Sequence, residues 1–351
     1  VNTVSLQGIA DLTLPDSPTF ASNLATFGQD TSNPLLLRPT LSSTVGNAVT
    51  MGNNSSFGGF VLDGPTGNGI TINGSSGTTV RDTLISNAGG SGIFIQNTLA
   101  GSSTSIIDTI IDSATGPAFH VSGGAGAIGY TGTSNNLDPS FAAIINSSQE
   151  AVLIENRVGG SVNMLGSTID DTGGTGIVIR GTGATPTTGN VTIDNARIVD
   201  STSTGINITN ASGNISFRNS VRGATTITNA LDDSVKIDGL TAGSNVTFED
   251  LNITSPRAGG INIDNLAGNF VFTQDLTIGA PGAGAVPSAA ISVANSLATG
   301  IVRFGGDVAV LGSAGRGIEV DSNAAGSSFS VIGQLSVTGA AAESVAITSN
   351  A

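Results

Sequence analysis

The chain has 351 residues, of which 50 are glycine, one is tyrosine, and none is cysteine or tryptophan. Apolar residues make up 38%, too many for a disordered chain, and the lack of cysteine excludes a disulfide scaffold or thiolate metal site. Only 10% of residues are charged, with Lys236 the single lysine, yet the formal net charge is −14, which excludes nucleic acid and anionic lipid as partners.

Residues 1–45 stand apart from the rest. Ser17-Pro18 followed by Phe20, Leu24 and Phe27 has the form of a helix start with a one-sided apolar stripe. A short amphipathic N-terminal cap or an irregular wrapped segment is expected over residues 1–45. From residue 46 onward one motif recurs: a small residue, then two aliphatic residues separated by one position, one further residue, and then Asn, Gly or Ser. It reads G-I-T-I-N-G from Gly69, G-I-F-I-Q-N from Gly92, G-I-N-I-D-N from Gly260 and S-V-A-I-T-S from Ser344. The first large apolar positions are 70, 93, 119, 152, 177, 206, 235, 261, 291, 318 and 345, with a mean spacing of 27.5 residues and one further copy around Val49 upstream. Each period holds two more strand-like runs. One is led by glycine, as in G-N-V-T-I at Gly189 and G-N-F-V-F at Gly268; the other contains Ile169, Ile198, Ile227, Ile253 or Ile278.

Alternation with period two puts one aliphatic set inside and the polar set outside. Repeats of this length that cannot each bury a face alone must stack. The predicted fold is all-β: a right-handed parallel β-helix over residues 46–351, with 11–12 coils of three strands each. At about 4.8 Å per coil it forms a rod of roughly 55–60 Å. The small residue before the first strand suits a tight corner, and the Asn, Gly or Ser after it suits a left-handed turn. Asn265 and Asn295 are expected to stack as rungs of an amide ladder.

Within this register the outward position between the paired apolar residues reads Thr71, Phe94, His120, Leu153, Val178, Asn207. Phe94, His120, Leu153 and Val178 make an unusually apolar strip for a solvent face. Beside it lies the longest period, with an insertion from Gly123 to Pro139 that contains Tyr130. Strip and insertion together fit a binding surface, and a loop folded over the strip fits equally well. Asp238, Asp264 and Asp321 share one position in their coils, compatible with a weak surface Ca²⁺ or a plain solvated acidic edge. No other cofactor is expected.

The stretches L-L-L-R-P-T-L, N-A-V-T-M-G-N-N-S-S-F-G-G-F-V-L-D-G and the repeated G-I-x-I-x-N resemble bacterial right-handed β-helix surface proteins of the pectin-lyase-like group, autotransporter-like or adhesin-like passengers in particular. That resemblance, over about residues 35–351, implies secretion and exposure at a bacterial cell surface. It carries over no activity.

An enzyme of this fold needs assembled carboxylates. Asp170-Asp171 and Asp232-Asp233 are the paired acids, but the Gly-His-Gly and Arg-x-Lys patterns of polygalacturonase-like enzymes are absent. The expected function is therefore a non-enzymatic extracellular module: a stalk, an adhesin passenger, or a subunit of a filament or layer. A polysaccharide-binding or polysaccharide-degrading protein is the alternative. Val1 is not an initiator Met, and Ala351 follows a strand pattern without a cap. Self-association or continuation into a longer chain is expected, with a cell-surface or carbohydrate partner and no membrane insertion by this segment.

Overall fold

The computed structural model describes residues 5–7, 39–42, 45–132, 143–170, 172–182, 189–220 and 223–348. The chain winds through three parallel sheets, each of twelve strands, and every coil adds one strand to each sheet. The first sheet runs from Val49–Met51 through Ile70–Asn73 to Val345–Thr348, and its register pairs Val49, Ile70, Ile93, Phe119 and Val152 in succession. The same column continues through Ile177, Ile206, Val235, Ile261, Ile291, Ile318 and Val345. These are the first large apolar positions of the repeat, so the predicted register holds over the whole stack. Among the described residues two strands precede residue 46: Ser5–Gln7 pairs with Ser56–Gly58 at the start of the second sheet, which ends at Ser328–Val331, and Thr40–Ser42 pairs with Val61–Asp63 at the start of the third, which ends at Leu335–Val337. The expected helix from Ser17 to Phe27 lies outside the described residues.

Inward residues are buried along the stack, except in the end coils, where Val345 and Ile347 are 45% and 68% exposed. Ile70, Ile72, Ile93, Ile95, Ile177, Ile179, Ile261 and Ile263 are all fully covered, and each such side chain contributes about 1.5–3 kcal/mol on burial. The core is not purely aliphatic. In the second sheet Phe217, Phe248, Phe272 and Phe304 occupy one inward column, with ring centroids 4.3, 5.2 and 5.1 Å apart and planes within 20° of parallel. Offset aromatic stacking adds about 0.5–1.5 kcal/mol per pair beyond area burial.

Corners follow from backbone chemistry. Asn97, Asn156, Asn210, Asn265 and Asn295 leave the first sheet with φ between 47° and 53°, a left-handed conformation that asparagine tolerates. Asn265 and Asn295 do not stack on one another as expected; amide-to-amide rungs occur instead at Asn214, Asn245 and Asn269. Asn265 Nδ2 donates to Asp238 Oδ1 at 2.9 Å, and Asn295 Nδ2 donates to Asp264 Oδ1 at 2.9 Å. These two corner amides thus grip the carboxylate that ends the preceding coil's strand, a stronger acceptor than an amide oxygen, whereas Asn97 Nδ2 donates to Asn73 Oδ1 at 3.1 Å. Asn87 on Asp63, Asn146 on Asp112 and Asn229 on Asp200 repeat the clasp at the corner after the third sheet. A further column joins the second and third sheets: the backbone N–H groups of Asp275, Asp307 and Gln334 donate to Asp250, Asp275 and Asp307 respectively.

Tightness before the first strand has a direct test. A Cβ on Gly205 would lie 2.6 Å from Ser234 O and 2.7 Å from Ile227 Cγ2, whereas one on Gly129 would meet nothing within 4 Å. Gly205→Leu is expected to lose about 2–3 kcal/mol by overpacking. Gly129→Ala is expected to be neutral or stabilising by up to about 1 kcal/mol, since it restricts the unfolded chain. Urea unfolding midpoints of the two variants against the parent measure both.

One cation sits inside this core. Arg157 is 1% exposed, and its guanidinium donates to Thr98 Oγ1 (3.0 Å), Gly123 O (2.8 Å) and Gly126 O (2.5 Å). Three successive coils are tied together by that one side chain.

Candidate functional site

The outward column of the first sheet is built as the repeat predicts. Thr71, Phe94, His120, Leu153, Val178 and Asn207 are register partners on successive strands. Phe94 and His120 are half-buried, and their rings stack at 4.7 Å with a 38° tilt. Leu153 and Val178 are only 3% and 4% exposed although they stand outside the interior cluster formed by Val152, Ile154, Ile177 and Ile179. The strip is therefore open at its Phe94–His120 end and covered at its Leu153–Val178 end. Part of the insertion expected beside it, residues 133–139, lies outside the described residues.

A charged margin borders the strip on the next outward column, where Ser122, Glu155, Arg180 and Thr209 are partners. His120 Nε2 lies 3.0 Å from Glu155 Oε1, and Arg180 donates through Nε (3.1 Å) and Nη2 (3.0 Å) to Glu155 Oε2. Partial burial pushes the Glu155 carboxyl up, but the hydrogen bonds from His120 and Arg180 outweigh it and hold the group below the usual glutamate range. Both carboxylate oxygens are occupied, so Glu155 serves as a clamp joining three coils.

A group whose folded pKa is depressed contributes stability above its unfolded pKa and loses it as pH falls through the folded value. Glu155→Gln is expected to flatten the acid limb of the stability curve below about pH 4.5, by less than about 1 kcal/mol because solvent screens the pair. Urea midpoints of parent and variant across that pH window would show parallel curves if Glu155 did not matter.

Tyr130 does not belong to this surface. It lies in the strand Ala127–Thr131, in the inward column between Ile106 and Met164, and is 1% exposed. Its hydroxyl donates to Thr109 O at 2.7 Å and its ring packs 5.0 Å from Phe119. Burial, with a smaller push from the Asp108 charge, raises the phenol well above its ordinary value. A buried tyrosine needs a partner for its hydroxyl, and a corner carbonyl supplies it.

The candidate acids are spread along the stack. Asp170 ends the strand Thr168–Asp170, and Asp171 lies outside the described residues. Asp233 accepts from Asn262 Nδ2 at 2.9 Å; burial pushes its carboxyl up, and the neighbouring Asp232 charge adds to the shift. Asp238 and Asp264 accept the corner amides described above, and Asp321 accepts from Thr348 Oγ1 at 2.7 Å. Among the described residues no three acids or histidines gather into a metal-binding group, and no helix is long and apolar enough to cross a membrane.

Three comparisons bear on this geometry. Residues 142–298 match the family model of a right handed beta helix region. The fold is a right-handed parallel β-helix. The matched β-helix segment spans coils that include Leu153, Val178, Glu155 and Arg180, and stops short of Phe94 and His120. No curated protein matches the sequence significantly. Among solved structures, the Streptococcus pneumoniae surface protein and adhesin PfbA shares 8% identity over 88% of this chain and 91% of its own, with a TM-score of 0.34. Similarity at that level says nothing about function.

Proposed function

We propose that this β-helix is a non-enzymatic structural and adhesive module of an extracellular or bacterial cell surface. The observation that carries the reading is the unbroken pairing of twelve parallel strands in each of three sheets, clasped coil to coil by side chains. Continuous backbone pairing makes a stiff spacer, and the open Phe94–His120 end of the outward strip, with its Glu155–Arg180 margin, supplies a contact patch. The rod self-associates with others of its kind. Its acidity keeps such rods from binding anionic surfaces indiscriminately.

Immunogold electron microscopy of the native source, with an antibody against this chain, tests the proposal. Labelled rods, fibres or a layer at the cell surface support it. Soluble labelled monomers in the medium overturn it.

One observation favours a second reading, a polysaccharide-binding or polysaccharide-degrading protein. Asp232 and Asp233 are adjacent, and burial raises the Asp233 carboxyl above its ordinary value, the direction of shift a general acid needs. Release of reducing sugar from a polysaccharide panel by the parent chain, abolished in Asp233→Asn, would establish it.

A further inference from the structure

The corner after the third sheet takes six residues in most coils and seven in the last two, 311–317 and 338–344, with one much longer exception. The connections Asp200–Gly205, Asn229–Ser234 and Ser255–Gly260 each take six residues, from the strands ending at Val199, Thr228 and Thr254 to those starting at Ile206, Val235 and Ile261. The next connection, between Ile278 and Ile291, takes twelve, residues 279–290. That longer loop folds back onto the coil before it: Gly282 N–H donates to Pro256 O at 3.0 Å and Val286 N–H donates to Arg257 O at 2.8 Å. It passes close to the Arg257 guanidinium, since a Cβ on Gly284 would sit 3.4 Å from Arg257 Nη2.

The loop thereby adds Gly282 and Ala283 to the lining of a groove of about 390 Å³ shared with Asp200, Asn229, Leu231 and Arg257. Its volume falls within the range of about 300–1,000 Å³ typical of small-ligand sites. The chemistry of the lining is mixed in a particular way. Asp200 gives one oxygen to Asn229 Nδ2 at 2.9 Å and is otherwise exposed. No carboxylate among the described residues pairs with Arg257, in contrast to Arg180 and Arg316. Leu231 is 51% exposed, an aliphatic face presented to solvent in the middle of these polar groups.

We propose that this groove binds a neutral hexose unit of a glycan. A carboxylate and an unpaired guanidinium lining one groove suit a sugar's hydroxyls: one hydroxyl donates to Asp200 while another accepts from Arg257. Leu231 and the loop alanine cover the C–H face of the ring. The exposed Asp200 and the net charge of −14 act against an anionic sugar at the same place. The loop supplies lining that the six-residue connections lack. This site is independent of the Phe94–His120 patch: a soluble shed monomer could still bind sugar here, and a surface rod could fail to.

Saturation-transfer NMR on the full chain tests it, with the methyl glycosides of glucose, galactose and mannose as probes and galacturonate as the anionic comparison. At least one methyl hexoside is expected to bind saturably. Arg257→Gln and Leu231→Asn are each expected to weaken it by about tenfold or more, the loss of a charge-assisted bond or of the ring's apolar support. Leu231 is an exposed side chain, so its variant keeps the test valid if Arg257→Gln lowers the melting temperature. No saturable binding of any of the three hexosides, equal binding by both variants, or preference for galacturonate would each overturn the proposal.

Discussion

Ile208→Asp and Ile263→Asp are each expected to destabilise the rod by at least about 5 kcal/mol, the range reserved for burying an unpaired charge in a packed core. Ile208 is 1% exposed and sits between Ile179 and Ile237; Ile263 is fully buried between Ile237 and Val293. Removing the isoleucine alone costs about 2–5 kcal/mol, and the carboxylate finds no donor inside an aliphatic column. Asn207→Asp provides the matched control. It introduces the same charge one residue away on the outer face, between Val178 and Lys236, and is expected to change stability by less than about 0.5 kcal/mol. Denaturant melts followed by far-UV circular dichroism compare the pair. Equal effects at positions 207 and 208 would mean that the strand register is wrong by one residue.

Arg157→Met is expected to have the second-largest effect, about 3 kcal/mol. Methionine fills the same space but donates nothing, so the carbonyls of Gly123 and Gly126 and the hydroxyl of Thr98 lose a charged partner together. A buried ion pair can often be replaced by apolar side chains at no net cost. That escape is closed here, because two of the three acceptors are backbone and stay behind. Arg157→Lys should fall between parent and Met, since an ammonium cannot span the three acceptors with the guanidinium's fixed fork. Amide hydrogen exchange at the corner around Gly123–Gly126 should quicken in Arg157→Met while the coils beyond Ile261 stay protected. Uniform exchange along the rod would show instead that the whole stack opens as one unit.

The repeat is what made this fold legible. Aliphatic alternation and a small-residue corner recur in every coil, and a signal repeated eleven times survives local exceptions such as Phe119 at an isoleucine position. Single side chains had no such redundancy. Tyr130 reads as a loop residue because glycines at 123, 124, 126 and 129 hide a two-residue alternation of Ile128 and Tyr130. The corner asparagines were placed correctly, but their partners were not, since the acceptor lies one residue back in the preceding coil. Arg157 has no repeat equivalent, and nothing in N-R-V-G-G announces a buried cation. The outward strip was visible from spacing alone. Its Glu155–Arg180 margin requires knowing which coils are neighbours. The groove beside Arg257 depends on a six-residue difference in one corner and on how that loop folds back, neither of which alternation encodes.

The Asn–Asp clasps share a direction. In each, the amide belongs to the later coil and the carboxylate to the earlier one, and the N–H groups of Asp275, Asp307 and Gln334 also reach back to the coil before. A chain that emerges N-terminus first therefore presents each finished coil as a template whose acceptors already stand in place. At these side-chain clasps the next coil brings the donors, while along the first sheet the finished coil offers donors too, as Val49 N–H does to Gly69 O and Ile70 N–H to Gly92 O. Growth of the rod can be vectorial, one layer at a time, without waiting for distant parts of the chain to meet.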